Sequence, residues 1–445
     1  MSISPKISKK ISLSLLTSFL IFISFAGASC NKTDRPEGAC ADAPDGNCST
    51  PVTLTIWHPF EDRDIYQKVI NKYTDKYPNV TIAYKKLDYA SYEDTLIDAI
   101  AANEGPDIFQ MHNDWTPKHW DKVSPMPAEI MTLDDYKERY VDVAINDFIY
   151  QDNIYSVPIY VDTLALYYNN LMLENYKIFS PPATWQQLVD ITQKITETTP
   201  GGNLISSAIT MGTAGNVNRA SDILYAIMLQ NQTNMTSPDN ASATFSLPVK
   251  TPTGDNFYPG LNSLDFYTSF ADKNSSNYTW GPELMGSLEA FEKGQAAMTI
   301  NYSYQKPVID RFKNPDLRYL ITTLPQINTT DDPISYANYW GESVNKQSKY
   351  SAWAWHFIKF MSENSKEITA LSNRPTALRD EAKDPSSIFN EQSYYARSWY
   401  KTDAAKVDDI FNQMIDDVAV RDADSSDALK KAENDITDLM IKNRR

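Results

Sequence analysis

Val52-Thr53-Leu54-Thr55-Ile56-Trp57 alternates apolar and polar residues, and the chain then changes period. Alternation every second residue is strand patterning. His58-Pro59-Phe60-Glu61-Asp62 reads as a polar turn. Over 65–77, Ile65, Val69, Ile70 and Tyr73 recur at helical spacing, and Pro78-Asn79 stops that helix. Residues 80–87 predict a second strand and 92–102 a second helix. After Gly105-Pro106, the run Asp107-Ile108-Phe109 predicts a third strand. Strands and helices in this order imply a parallel sheet with right-handed crossovers, hence an α/β fold. Ligands of such sheets sit beyond the carboxyl ends of the strands. Here those places are 58–62 and 110–115, both rich in polar and aromatic side chains.

Further along, 155–168 is strand-like with Pro158 interrupting it, and 185–196 predicts an amphipathic helix with Thr184 as N-cap. Residues 201–215 read as loop, and Gly212-x-x-Gly215 is too sparse for a phosphate cradle. Residues 231–256 are rich in Asn, Thr, Ser and Pro and predict a surface excursion. A helix over 285–292, a strand over 296–302, an aromatic helix over 350–362 and a polar helix over 427–441 complete the reading. No repeat is visible.

At 445 residues, with 42% hydrophobic and 22% charged residues, the chain suits two globular domains. Lys and Arg total 41 against 57 Asp and Glu, a net charge of −16, so a nucleic-acid partner has no whole-molecule basic footprint to bind. Four His and three Cys, with no HExxH and no paired CxxC, point away from a metal site. GxGxxG, GxxxxGK[ST] and GxSxG are absent, so no cofactor and no serine nucleophile are expected.

Residues 1–29 read as an export signal. Lys6, Lys9 and Lys10 precede an apolar stretch over 11–25, and Ala26-Gly27-Ala28-Ser29 leads to Cys30. Small residues ending in Cys resemble the lipobox of bacterial lipoproteins, which implies Cys30 as the lipidated first residue and a membrane anchor without a spanning helix. Gly27 stands where that motif usually has Leu, Val or Ile. Residues 30–51 read as a flexible tether. Within it, Cys40 and Cys48 suit a small disulfide loop or stand as two free thiols. The chain after Cys48 contains no Cys.

Several segments together resemble the family 1 extracellular solute-binding proteins of ABC importers, the maltose-binding-protein-like group. They are Leu54-Thr-Ile-Trp57 with Tyr77-Pro-Asn-Val80, Gly105-Pro-Asp-Ile108, Tyr155-Ser-Val-Pro-Ile-Tyr160 with Leu166-Tyr-Tyr-Asn169, Pro182-Ala-Thr-Trp185, Phe291-Glu-Lys-Gly294 with Ala297-Met-Thr-Ile-Asn301, and the 354–361 helix. Each is weak alone, and their order is what is specific. The resemblance implies two α/β lobes with a solute cleft between them, each lobe discontinuous: 52–163 plus 326–361, and 164–325 plus 362–445. It further implies a monomer outside the cytoplasm, lipid-anchored, that closes on a carbohydrate and delivers it to an ABC permease without covalent chemistry.

The resemblance also places a site. Asp114 and Asp162 fall at acidic positions that accept sugar hydroxyls. Tyr304 falls at a stacking position with Tyr302 beside it, and Trp340 lies where the chain re-enters lobe one. His58, Phe60 and Glu61 are nominated by strand-end logic as well, Trp280 as a loop aromatic and Arg374 as a polar contact. A cationic or other small solute is the alternative, the cationic one because aromatics with carboxylates also suit ammonium groups. A secreted glycoside hydrolase would need a paired acid and nucleophile. Asp114, Asp162 and Glu342 are available for those roles, and nothing in the sequence pairs them.

Overall fold

Burial along Val52–His58 follows the alternation, with Val52, Leu54, Ile56 and His58 inward. The helix Arg63–Lys76 buries Tyr66, Val69, Ile70 and Tyr73, one face at three- and four-residue spacing. The computed structural model describes residues 43–44, 49–200, 203–384 and 387–443. The expectations for 1–29, Cys30, Cys40 and Cys48 lie outside the described residues.

The first sheet runs Val80–Lys86, Val52–His58, Ile108–His112, Trp340–Val344 and Val157–Pro158. The first three strands are parallel, as expected. The other two are not: Trp340–Val344 runs antiparallel to Ile108–His112 and to Val157–Pro158, making the sheet mixed. Trp340 pairs with His112. The start of that late strand therefore meets the carboxyl ends of the early ones.

The second sheet runs Tyr319–Thr323, Ala165–Asn169, Ala296–Asn301, Leu204–Ile209 and Glu197–Thr198. Leu204–Ile209 is a strand inside the stretch read as loop. Its mate Ala296–Asn301 is parallel to it and antiparallel to Ala165–Asn169, with Asn301 opposite Ala165. One end of this sheet thus gathers 162–164, 210–213 and 302–304. The helix Trp185–Ile195 packs on it, and Thr184 accepts the Gln187 amide at 3.2 Å, the cap the sequence predicts.

Two main hydrophobic clusters follow the two sheets. Val161 belongs to the first and Leu164 to the second; Tyr336 to the second and Ala337 to the first; Ala396 to the first and Trp399 to the second. The chain therefore changes cluster three times. The sequence reading expects the later changes near Pro325 and Met361; between these two clusters they occur at 336–337 and 396–399. Helix Ser365–Ser372 stays with the first cluster, where it seats Ile368 and where Lys72 on Arg63–Lys76 pairs with its Glu367, whereas helix Ile388–Tyr394 packs on strand Tyr319–Thr323 of the second sheet and Gln392 Oε1 accepts Leu324 N at 2.8 Å. The three connecting segments lie side by side. Leu164 N bonds Tyr336 O at 3.2 Å, Asn338 N bonds Asp162 O at 3.0 Å, and Ala337 N bonds Arg397 O at 2.9 Å.

Gly341 lets the late strand seat. A Cβ there would come within 2.8 Å of the Phe148 ring and 2.3 Å of Ser156 Oγ. Gly341→Ala should cost about 1–3 kcal/mol through overpacking, read as a lower urea midpoint. An unchanged midpoint would mean that Phe148 moves aside freely.

Candidate functional site

The end of the first sheet carries an aromatic array. Trp340 lies edge-on to Trp115 at 5.1 Å, His112 at 5.0 Å, Phe60 at 5.5 Å and Tyr92 at 5.7 Å. Trp340 is 6% exposed, whereas Tyr89, 4.9 Å from Phe60, is 57% exposed and forms the open member. The Arg219 charge acts on the Tyr89 hydroxyl. Arg219 belongs to the second sheet's end, so the charge that reaches Tyr89 comes from the other side of the gap.

On that second side Arg219 donates to the Tyr304 hydroxyl through Nε at 2.8 Å. Tyr302 stacks with Tyr304 at 5.7 Å and donates to Asp222 at 2.8 Å. Asp162 stands on the first connecting segment. Its carboxylate accepts from Ser303 N at 2.9 Å, Ser303 Oγ at 2.8 Å and Arg374 Nη1 at 2.8 Å, and Arg374 Nη2 reaches Glu61 Oε1 at 3.2 Å.

Between the two sides lies a floor of buried charge. His112 Nδ1 sits 2.5 Å from Asp114 Oδ1, and Lys401 Nζ sits 3.4 Å from Asp114 Oδ2 and 3.2 Å from Asp408. Burial opposes charge on Asp114, yet His112 and Lys401 outweigh it and hold the carboxyl below its usual range. Burial likewise opposes the His112 and Lys401 cations. Asp114 raises His112, and Asp408, with the Tyr336 hydroxyl and Asp114, raises Lys401. Asp147 accepts from Asn113 Nδ2 at 3.0 Å, Tyr339 OH at 2.7 Å and Ser398 Oγ at 2.5 Å, and burial pushes its pKa up to about 6.

A cavity of about 850 Å3 opens beside this floor. Trp120 and Tyr150 on its wall pack against the first cluster, Trp399 and Tyr400 with the second. Asn113 and Trp399, both lining it, are at least nine-tenths buried, yet Asn113 Oδ1 and Trp399 Nε1 have no hydrogen-bond partner among the described residues. One acceptor and one donor are thus left without partners, which costs free energy unless something else supplies them.

The expected residues separate into groups. Only Asp114 lines this cavity. Phe60 and Trp340 meet in the array, and Glu61, Asp162, Tyr304 and Arg374 meet in the ion-paired group. His58 is committed to the first core: it is 1% exposed, its Nε2 lies 2.9 Å from Glu342 Oε2, and its ring packs on Tyr66 and Tyr84. A strand-end position does not make a ligand contact when the burial alternation turns the side chain inward. Trp280 is 2% exposed in the second core, and Tyr302 is fully buried. Sequence reasoning missed Tyr89, Asp147, Arg219, Trp399 and Lys401, and reached Asn113 only as part of the 110–115 strand end. The aromatic pair in Arg397-Ser-Trp-Tyr-Lys401 was the available signal.

The folded pKa of Asp147 lies above the ordinary carboxylate value, so the folded protein holds this proton more tightly than the unfolded chain. Stability from this site is full below about pH 4 and is lost as pH rises through about 6. Asp147→Asn removes the titration. Its unfolding free energy relative to wild type should climb by up to about 3 kcal/mol between pH 4 and 7, measured by denaturant titration across that range. A difference independent of pH would contradict the assignment.

Comparison with known proteins bears on what such a cleft is for. A model of the family described as bacterial extracellular solute-binding protein matches residues 59–367. The maltotriose-binding protein of Pyrococcus abyssi is 25% identical over 143 residues, 32% of this chain and 30% of that protein, so this chain aligns with under a third of that relative's length. The multiple sugar-binding protein of Streptococcus mutans is 21% identical over 369 residues, 81% of each. Among solved structures, the cyclic alpha-maltosyl-1,6-maltose binding protein of Arthrobacter globiformis matches with a TM-score of 0.73 at 18% identity, covering 88% of this chain and all of that one. That likeness confirms the two-lobe α/β fold.

Proposed function

The chain belongs to the bacterial extracellular solute-binding protein family, and we propose that it is the carbohydrate receptor of an ABC importer. It binds an oligosaccharide between its lobes, closes about the three connecting segments and presents the closed form to a membrane permease. We place the lobes on either side of those segments. Family members and the similar structures are binding proteins, and the proposed cycle contains no covalent step.

The cavity of about 850 Å3 between the two clusters, where buried Asn113 Oδ1 and Trp399 Nε1 have no partner among the described residues, carries this reading. Its volume is within the range of ligand sites. A sugar has a C–H face that packs on flat aromatic surface and a hydroxyl edge that needs partners once desolvated. Trp399, Tyr400 and Tyr150 supply the first need. Asn113, the Trp399 indole N–H and remaining lone pairs of Asp114 supply the second, since a carboxylate accepts several O–H donors at once. Relatives named for maltotriose and for multiple sugars support the same class.

A thermal-shift and calorimetric screen over maltose, maltotriose, maltotetraose and other oligosaccharides tests this. A binder at one hundred times Kd should stabilise the fold by about 2.7 kcal/mol. Trp399→Ala should weaken that binding by about 1–3 kcal/mol while the protein stays folded. Absence of any stabilising sugar together with release of hydrolysis products would reverse the reading to an enzyme.

Export and anchoring complete the proposal. Among the described residues no helix is long and apolar enough to cross a membrane. Attachment through acyl chains on Cys30, after removal of 1–29, would hold the receptor near its permease and raise its effective concentration there. Cys30→Ala should abolish lipid labelling and release the protein from membranes. Mass spectrometry showing a native chain that retains 1–29 without an acyl group would refute the anchor.

A further inference from the structure

Aromatic faces and carboxylates gathered in one place form the chemistry that receives an organic cation. This protein contains such a box and fills it from its own chain. The Arg374 guanidinium carbon lies 4.9 Å from the Tyr160 ring centroid and 5.0 Å from that of Tyr304. Its two outer nitrogens engage Asp162 at 2.8 Å and Glu61 at 3.2 Å. The side chain is only 12% exposed. A planar guanidinium meets all four demands at once, two ring faces and two carboxylates, which a compact ammonium cannot.

The four walls come from separate parts of the fold. Glu61 follows the first strand, Tyr160 precedes the first connecting segment and Asp162 stands on it, and Tyr304 belongs to the end of the second sheet. Arg374 is aimed by local backbone. Asn373 ends helix Ser365–Ser372 in the left-handed region at φ 55°, and Pro375 O then accepts Val161 N at 3.2 Å, tying this turn to the connecting segment.

We propose that Arg374 is a tethered internal ligand of this box. It positions Glu61 against Tyr304 across the gap and denies the box to cationic solutes, so the cleft selects neutral ones. The selectivity rests on the reading of the cleft as a solute site; the filled box is testable with no solute present. Removing the guanidinium leaves Asp162 and Glu61 as two carboxylates without their shared cation in low-dielectric surroundings, and opening the gap to water is the relief available. Arg374 and Ser303 also line a cavity of about 580 Å3, which gives a small cation a way in.

The experiment compares full-length wild type with Arg374→Ala in thermal unfolding, titrated with methylguanidinium chloride against sodium and ammonium chloride at equal ionic strength. The variant should gain saturable stabilisation at about millimolar methylguanidinium, the affinity class of a small ligand with two ion pairs, and the wild type should gain none. Small-angle scattering should give Arg374→Ala a larger radius of gyration, returning toward wild type with methylguanidinium. Spermidine and choline should leave the wild type unshifted. A variant that answers methylguanidinium no better than wild type overturns the filled box, and wild type stabilised by spermidine or choline overturns the selectivity. If Arg374→Ala does not fold, the double variant Glu61→Gln, Arg374→Ala carries less unpaired charge. It should show the same rescue several-fold more weakly, and no rescue there is equally fatal. Methylguanidinium rescue without any sugar binding to wild type would sink the sugar reading alone; sugar binding without rescue would sink the box alone.

Discussion

Three short segments, around 162–164, 335–338 and 396–398, hold the two halves of this molecule in relation, and the hydrogen bonds between them are the constraint from which the rest follows. They pair as a narrow ribbon through Leu164–Tyr336, Asp162–Asn338 and Ala337–Arg397. A ribbon of this kind resists shear along its length because sliding would break every bond together. It bends more easily about its own axis, where each bond needs only a small change of angle. Both sheets direct their functional ends toward it: Trp340 and 112–115 from one side, 302–304 from the other. The gap therefore lies between the two sheet ends, with the ribbon joining its walls.

The floor is electrostatically expensive and is organised accordingly. Lys401, 2% exposed as a side chain, lies between Asp114 and Asp408, and Asp114 also holds His112. Isolated, any of these charges would be costly to bury. Arranged as a chain they stabilise one another, and they come from three places in the sequence that only the folded chain brings together. Asp147 plays a related part without a cation: three neutral donors converge on it and fix Asn113, Tyr339 and Ser398 in relation to one another. Polar networks of this kind set geometry more than they add stability. A chain with net charge −16 gathers its few buried cations at the cleft, where geometry matters most.

Much of the first half was legible because local pattern and tertiary role agree there. The alternation of 52–57, the helical spacing after it and the Thr184 cap are short-range signals, and the structure uses each as read. Failures occur where long-range pairing decides. Leu204–Ile209 contains Ser206-Ser207 and looks weak as a strand, yet it becomes one by pairing with Ala296–Asn301, nearly ninety residues later. His58 ends a strand and looks like a loop polar residue, but Glu342 waits for it on a strand almost three hundred residues away. Trp399 and Lys401 are ordinary in sequence. They matter because the third connecting segment delivers them to the gap, and no local period announces where a chain will change lobes.

Trp340–Val344 lies between Ile108–His112 and Val157–Pro158 in the first sheet. Until those late residues arrive, Ile108–His112 presents a bare edge and Val157–Pro158 has no partner in the sheet. A chain emerging from its N-terminus can thus assemble the parallel trio early, but it cannot finish its first lobe until most of the second has been made. The first lobe is thus closed by pairings of large sequence separation, the kind whose loop entropy is met before the contacts repay it. For the export proposed above, a first lobe that stays incomplete until the last residues are made is also a lobe that stays threadable.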